Sequence, residues 1–527
     1  MTLASQSAIP DYGDRSPSRV GKLLAGWLSK AWPLALIALP ALPILFTCIV
    51  AIRPSASFHH IASVLLPELL LTTLSLIGLS TGIATLMGVG LAWLITAYDF
   101  KGRAFLTWAL ALPLALPGYV SAYAWGDMLG VRGFGVAVLV YSTTLYPYIY
   151  LAARSAFEAQ SVCALEAARM LGASAWQRFS AIALPMARPA IAAGAALAAL
   201  EMASDYGGAD HLGVQTLTIG IFKAWFSMGD LAGAARLSCI LLLGVLALVW
   251  IERNARSGIV AGGSTRWRTP TRAGLSNAQG LVVLAIGGLV FLISLVVPVT
   301  HLLQLGLAQG GPSRDFREPF IATALLCALG AGVTLVIAVL SAYVARTGTG
   351  KSNLIRTAAL AGYATPGAVT ALGVLAALSL IGHNAVASLA GPAALIALCY
   401  AYAARFTAAG LEPMSAGLEK STRSMREAAS TMGAKPFTRF WRLEAPLAAP
   451  SAFAAALIVA VEIAKELPAT TLLRPFGFDT LAVRAHSYAA DERLGAAAWP
   501  ALAIVALALV PTLIFSHGLS KSRAGQV

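Results

Sequence analysis

The chain has 527 residues, 58% of them from the AVILMFWYC set and only 11% charged, with a mean hydropathy of +0.76. A soluble domain carries about 25% charged residues, so this composition excludes the soluble classes and makes lipid the main solvent. The net charge of +14 would suit nucleic acid only if the basic residues clustered in a soluble region, which they do not.

Residues 1–32 form a polar, basic tail followed by a proline-rich apolar run, with no small-residue cleavage site. This reads as an uncleaved first anchor. A membrane helix needs about 20 apolar residues. Such runs fall at 33–52, 69–97, 104–130, 133–153, 183–204, 231–251, 280–305, 320–345, 354–381, 385–404, 447–464 and 496–517. The fold class is therefore an all-α membrane protein of about twelve spans. Pro113, Pro117 and Pro366 predict kinks or breaks in the third and ninth runs. With the N-terminus in the cytoplasm, 27 of the 37 Lys and Arg residues fall in cytoplasmic segments. The basic excess is thus a topology signal that places both termini inside. Residues 252–279 form a polar linker containing Arg253, Arg256, Arg266, Arg268 and Arg272, and 518–527 a C-terminal tail.

The chain repeats itself. Glu166-Ala-Ala-Arg-Met-Leu-Gly172 is followed, nine residues on, by Ile182-Ala-Leu-Pro185. Glu427-Ala-Ala-Ser-Thr-Met-Gly433 is followed at the same interval by Leu443-Glu-Ala-Pro446. The offset of 261 also relates Glu201 to Glu462 and Asp205 to Glu466. Pro117-Gly118 pairs with Pro366-Gly367, and Thr73 with Thr323, at offsets of 249 and 250. Each copy follows an even number of spans, so the halves are parallel six-span repeats rather than inverted ones. They cover 33–251 (core 69–251) and 280–517 (core 320–516).

Alanine and glutamate favour helix in each repeated segment, and the glycine permits a sharp turn at its end. Trp176, Arg178 and Phe179 follow in one copy, and Phe437, Arg439, Phe440, Trp441 and Arg442 in the other. The reading is a helix–turn–helix finger whose exposed apolar and basic face needs a partner. E-A-A-x3-G-x9-I-x-L-P resembles the EAA loop of bacterial ATP-binding-cassette importer permeases. The first copy matches throughout; the second has Leu443 and Ala445 at two of the specified positions.

The resemblance implies the type I importer permease fold, with coupling helices that carry Glu166, Ala167, Gly172, Glu427, Ala428 and Gly433. Each would dock in a groove of an ATPase subunit, two copies in all. It further implies a periplasmic substrate-binding protein as partner and the bacterial inner membrane as location. Lys465-Glu-Leu-Pro-Ala-Thr-Thr-Leu-Leu-Arg474, Asp205-Tyr-Gly-Gly208 and Gly213–Gly220 are similar to fused, two-half ferric iron permeases, with thiamine or phosphonate as alternative cargoes.

Ionisable residues in spans are expensive and are functional candidates. Glu201, Asp205, Glu462, Lys465 and Glu466 are expected near the outer ends of corresponding helices, where carboxylates suit a hard trivalent cation. Lys465 pairing with Glu462 or Glu466 would close a gate there, and Asp127 is a further candidate. Thr347–Ser352 resembles the end of a phosphate-binding loop, but Ala345 replaces its first glycine and no strand precedes it. The seven histidines lack metal spacing and read as solvated at span ends; the five isolated cysteines read as packing residues. No catalytic, metal or cofactor site is expected, so ATP hydrolysis requires a separate subunit. A gradient-driven transporter is the competing class; it would want central charges and no docking fingers.

Overall fold

The computed structural model describes residues 19–160, 162–256, 272–346, 351–382 and 391–521. Residues 1–18, 161, 257–271, 347–350, 383–390 and the last six residues lie outside it.

The described helices form two successive series that repeat one another. The first comprises α1 (Arg19–Ala51), α2 (Phe58–Ala97), α3 (Arg103–Ala115), α4 (Gly118–Leu129) and α5 (Phe134–Ala159). It continues with α6 (Val162–Met170), α7 (Ala175–Ser204), α8 (Gly207–His211), α9 (Leu217–Ser227) and α10 (Leu231–Arg256). The second comprises α11 (Asn277–Ala308), α12 (Arg314–Ala345), α13 (Ser352–Ala364), α14 (Gly367–Ile381) and α15 (Pro392–Glu419). It ends with α16 (Arg423–Thr431), α17 (Pro436–Lys465), α18 (Pro468–Leu473), α19 (Leu481–Ala490) and α20 (Leu494–Lys521). Ten of these are long and apolar enough to cross a membrane, or twelve with each bent pair taken as one span. The expected all-α architecture of two parallel repeats is what the molecule has.

The bent pairs are α3–α4, at 92°, and α13–α14, at 105°. Each break falls at the predicted Pro-Gly. Pro117 and Pro366 sit just before α4 and α14 with ψ of 145° and 143°. An extended proline here supplies no amide hydrogen to the preceding helix, and its ring bars the helical conformation from the residue before it.

Within each half, α2, α5 and α7, or α12, α15 and α17, pack as a trio. The first helix of each half does not stay at home. The α1 helix lies on α13, α14 and α15 as well as on α10, while α11 lies on α3, α4 and α5 as well as on α20. The prolines of α1 have a seat there: a Cβ on Gly373 would overlap the Pro43 carbonyl, and one on Gly362 would crowd Pro40. Near the C-terminal end of α1, Cys48 and Cys239 of α10 approach to 3.8 Å between sulfurs, so two of the five cysteines meet in space.

The repeated threonines have one job in both halves. Thr73 Oγ1 accepts from the Leu217 amide at 2.9 Å, and Thr323 Oγ1 from the Leu481 amide at 2.8 Å. Those amides open the short helices α9 and α19, where a first-turn N–H has no partner inside its own helix. Thr73→Val or Thr323→Val should each destabilise the detergent-solubilised protein by about 1–3 kcal/mol, because a buried donor is orphaned. Serine at either position should restore most of the loss in the same thermal unfolding measurement.

One expected boundary is corrected. The tenth span does not stop at residue 404: α15 runs to Glu419, and Arg405 is buried within it rather than lying in a cytoplasmic loop.

Candidate functional site

The two fingers share one construction. After α6, Gly172 takes φ 82°, and after α16, Gly433 takes φ 81°. Backbone bonds Ala173 N to Ala168 O (2.9 Å) and Ala434 N to Ala429 O (3.0 Å) close the same six-residue turn. This arrangement needs a residue that tolerates the left-handed region, which is the reason for glycine. Ala167 and Ala428 accept from the Leu171 and Met432 amides at 2.9 and 3.1 Å. A Ser174–Gln177 capping box then starts α7, whereas Pro436 opens α17.

The fingers are fixed at their bases by aromatic contacts. Phe179 meets Trp93 of α2 with ring centroids 5.2 Å apart, and Phe440 meets Tyr343 of α12 at 6.2 Å. These contacts put the ends of α2 and α12 at the finger bases, so the opposite ends of α5 and α15 mark the far face. The second base adds an ion cluster: Glu444, fully buried, is held by Arg346 and by Arg439 Nε at 3.2 Å. Its counterpart in the first half is Ala183.

At the tips, Leu171 and Met432 are 87% and 80% exposed, and Trp176 and Phe437 are also exposed. Glu427 is on the surface and pairs with Arg423 at 2.7 Å; that hydrogen bond holds the Arg423 guanidinium above its ordinary pKa. Glu166 sits at the equivalent place in α6. All six expected coupling positions therefore lie on two matching projections.

The second site is a cavity of about 100 Å³ between the halves, and all five expected path residues line it. Its depth differs from expectation. The acids were expected near the outer mouth, but their neighbour Arg405 lies roughly 20 Å from either end of the 28-residue α15. Tyr148, another wall residue, is similarly central in α5. The reason is that α7 and α17 are followed not by an exit but by a turn and a short helix, α8 or α18, packed back on the bent pair.

Two of the acids are committed to that turn. Asp205 Oδ2 accepts from the Gly208 amide at 3.1 Å and from Tyr141 Oη at 2.6 Å. Glu466 Oε1 accepts from the Ala469 amide at 3.1 Å, and its other oxygen is paired with Arg405. Gly118 and Gly367 face these carboxylates, and a Cβ on Gly367 would overlap Glu466. The repeated Pro-Gly and the repeated acid are thus two sides of one contact. Of the remaining three, Lys465 donates to Glu462 at 2.9 Å, not to Glu466. Glu201 faces the cavity without a hydrogen-bond partner among the described residues.

Sequence reasoning missed Arg405, Tyr119, Tyr141 and Tyr148. Tyr141 could have been found from the repeat, since Tyr402 stands 261 residues on; Arg405 is matched there by Thr144, and neither it nor Tyr119 or Tyr148 carried a repeat signal. Two histidines read as solvated are buried: His486 Nδ1 meets Tyr123 Oη at 3.1 Å, and His211 packs edge-on against Tyr123. Asp127 is away from the cavity, paired with His301 at 2.7 Å. Among the described residues no three His, Cys, Asp or Glu side chains converge as a metal site.

Residues 84–257 and 334–521 match the family described as binding-protein-dependent transport system inner membrane component. The Fe(3+)-transport system permease protein FbpB 2 of Haemophilus influenzae is 26% identical over 456 residues, covering 85% of this chain and 89% of the relative. The molybdenum transport system permease protein ModB of Escherichia coli is 32% identical over 197 residues, 32% of this chain and 86% of the relative. The sulfate transport system permease protein CysT of the same organism is 31% identical over 137 residues, 23% of this chain and 49% of the relative.

Proposed function

The chain belongs to the family of binding-protein-dependent transport system inner membrane components; it is the multi-pass permease of an ATP-driven importer, not an enzyme, and we propose that its cargo is ferric iron. Carrying this reading is the match to the Fe(3+) permease, which spans most of both chains, while the molybdenum and sulfate relatives match about a third of this chain or less. The cavity agrees in chemistry, since its wall offers four carboxylates against two bases, and oxygen donors suit a hard cation. An oxyanion would want the opposite balance.

The family implies ATPase and binding-protein partners. We place the fingers on the cytoplasmic side, with both termini, as the basic loops require, and residues 252–279 as the linker joining two permease halves. The fingers present large apolar tip residues at one offset, Leu171 with Met432 and Trp176 with Phe437, which supports two copies of a single ATPase. Glu166, Gly172, Glu427 and Gly433 then transmit ATP-driven closure to α7 and α17, whose far ends carry Glu201 and Glu462. Binding protein and ATP stabilise different states of the bundle, so their alternation moves the cavity from one side to the other. No bound cofactor is needed for this work.

Cells with and without the chain should differ in uptake of radioactive ferric iron under iron limitation, by at least about tenfold. Equal uptake removes the iron assignment. In sealed vesicles carrying an ion gradient but no ATP, uptake should be absent; a gradient-driven signal would favour the competing class.

A further inference from the structure

The cavity wall divides its charges into two groups. Asp205 is held by Tyr141 and the Gly208 amide, and Glu466 by Arg405 and the Ala469 amide. Neither is free to take a ligand without opening the turn it caps. That leaves Glu201 from the first half, and Glu462 with Lys465 from the second. Glu462 and Lys465 stand one helical turn apart on α17, and both line the same cavity as Glu201. An independent feature points at the same space. Tyr119 is also a wall residue, more than nine-tenths buried, and its hydroxyl has no hydrogen-bond partner among the described residues. An oxygen left unpartnered in such a place is unfavourable unless something else occupies the space beside it.

We propose that Lys465 is a resident stand-in for the transported cation: its ammonium fills the Glu201–Glu462 carboxylate site, yields to an arriving hard cation, and returns to displace it. This rests on the cation-importer reading above. A lysine suits the task because its charge is compact and its four-carbon stem flexible, so the ion pair opens by rotamer change alone. Arg405, buried with one guanidinium nitrogen donating to Glu466, does not have that freedom. The ligands offered to the incoming ion are two carboxylates, with Tyr119 and Tyr148 in the same wall. Among the described residues no thiol or imidazole lines the cavity, so soft metals are not favoured. A competing internal cation also answers a general demand on pores, that a site bind strongly enough to admit an ion but not so strongly as to keep it.

Terbium(III) tests this, as a hard trivalent probe whose luminescence is sensitised by nearby tyrosine. The full chain with its ATPase subunits, in phosphatidylcholine nanodiscs without nucleotide or binding protein, is titrated with Tb³⁺. Lys465→Met should bind at least tenfold more tightly than the unaltered chain, with stronger tyrosine-sensitised emission. Adding Glu201→Gln should abolish the gain. Lys465→Gln should behave as Lys465→Met does and serves where the latter fails to assemble. Equal affinity in the unaltered and Lys465 variants overturns the proposal, as does a gain that survives Glu201→Gln. An absent gain with intact ferric uptake overturns this proposal alone. A gain without ferric uptake supports it while removing the iron assignment.

Discussion

Leu171→Asp combined with Met432→Asp should strip the chain of its ATPase while leaving insertion and folding intact. Both side chains stand at the fingertips at 87% and 80% exposure, so their loss removes almost nothing from the protein's own packing. Docked in a groove, each would contribute about 1.5–3 kcal/mol by leaving water. Losing both, and burying a carboxylate in place of each, weakens the contact by about 3 kcal/mol or more, over a hundredfold. Co-purification of the ATPase with the tagged chain should fall to background, and transport with it. The double variant should elute as a monodisperse peak at the same volume as the unaltered chain. A single variant should retain partial association, because the other finger still docks. Undiminished recovery of ATPase by the double variant would remove the fingers from the coupling role.

The fingers were legible because everything they need is local. Helix formers, a turn glycine and following aromatics sit within about twenty residues, and the whole set occurs twice. The same holds for the bends, where Pro117 and Pro366 act on their immediate neighbours. The depth of the acids was not legible. It depends on α7 and α17 ending in a turn that folds back, and Asp205 and Glu466 make that turn through amides three residues on. A hydropathy run records only that the helix has ended. Arg405 was misplaced for a related reason: a span drawn to stop at its first charge excludes by construction the arginine that a buried glutamate neutralises. The exchange of α1 and α11 between halves was equally silent, since Gly362 and Gly373 meet Pro40 and Pro43 across more than 300 residues of chain. The central charges have a consequence for function. They are what a gradient-driven carrier would also show, so the decision against that class rests on the family match and the fingers.

Arg405→Leu should be the most damaging single substitution in the cavity wall. Arg405 and Glu466 are 8% and 7% exposed, and the pair bridges α15 to the turn after α17. Removing one partner of a buried ion pair destabilises by about 3–5 kcal/mol, mainly because the other charge is left uncompensated. The first half provides the control. There Asp205 is met by a neutral hydroxyl, so Tyr141→Phe takes away one hydrogen bond to a charged acceptor, worth about 1.5–3 kcal/mol, and leaves no orphaned base. If the penalty is an uncompensated charge rather than lost packing, neutralising Glu466 should return much of it. Arg405→Leu with Glu466→Gln keeps a carbonyl oxygen for the Ala469 amide and leaves the summed charge of the wall as it is in the unaltered chain. Thermal unfolding of the solubilised protein should therefore rank Arg405→Leu lowest, Tyr141→Phe above it, and the double variant above Arg405→Leu. A double variant no more stable than Arg405→Leu alone would show that the arginine holds α15 by its shape and not by its charge.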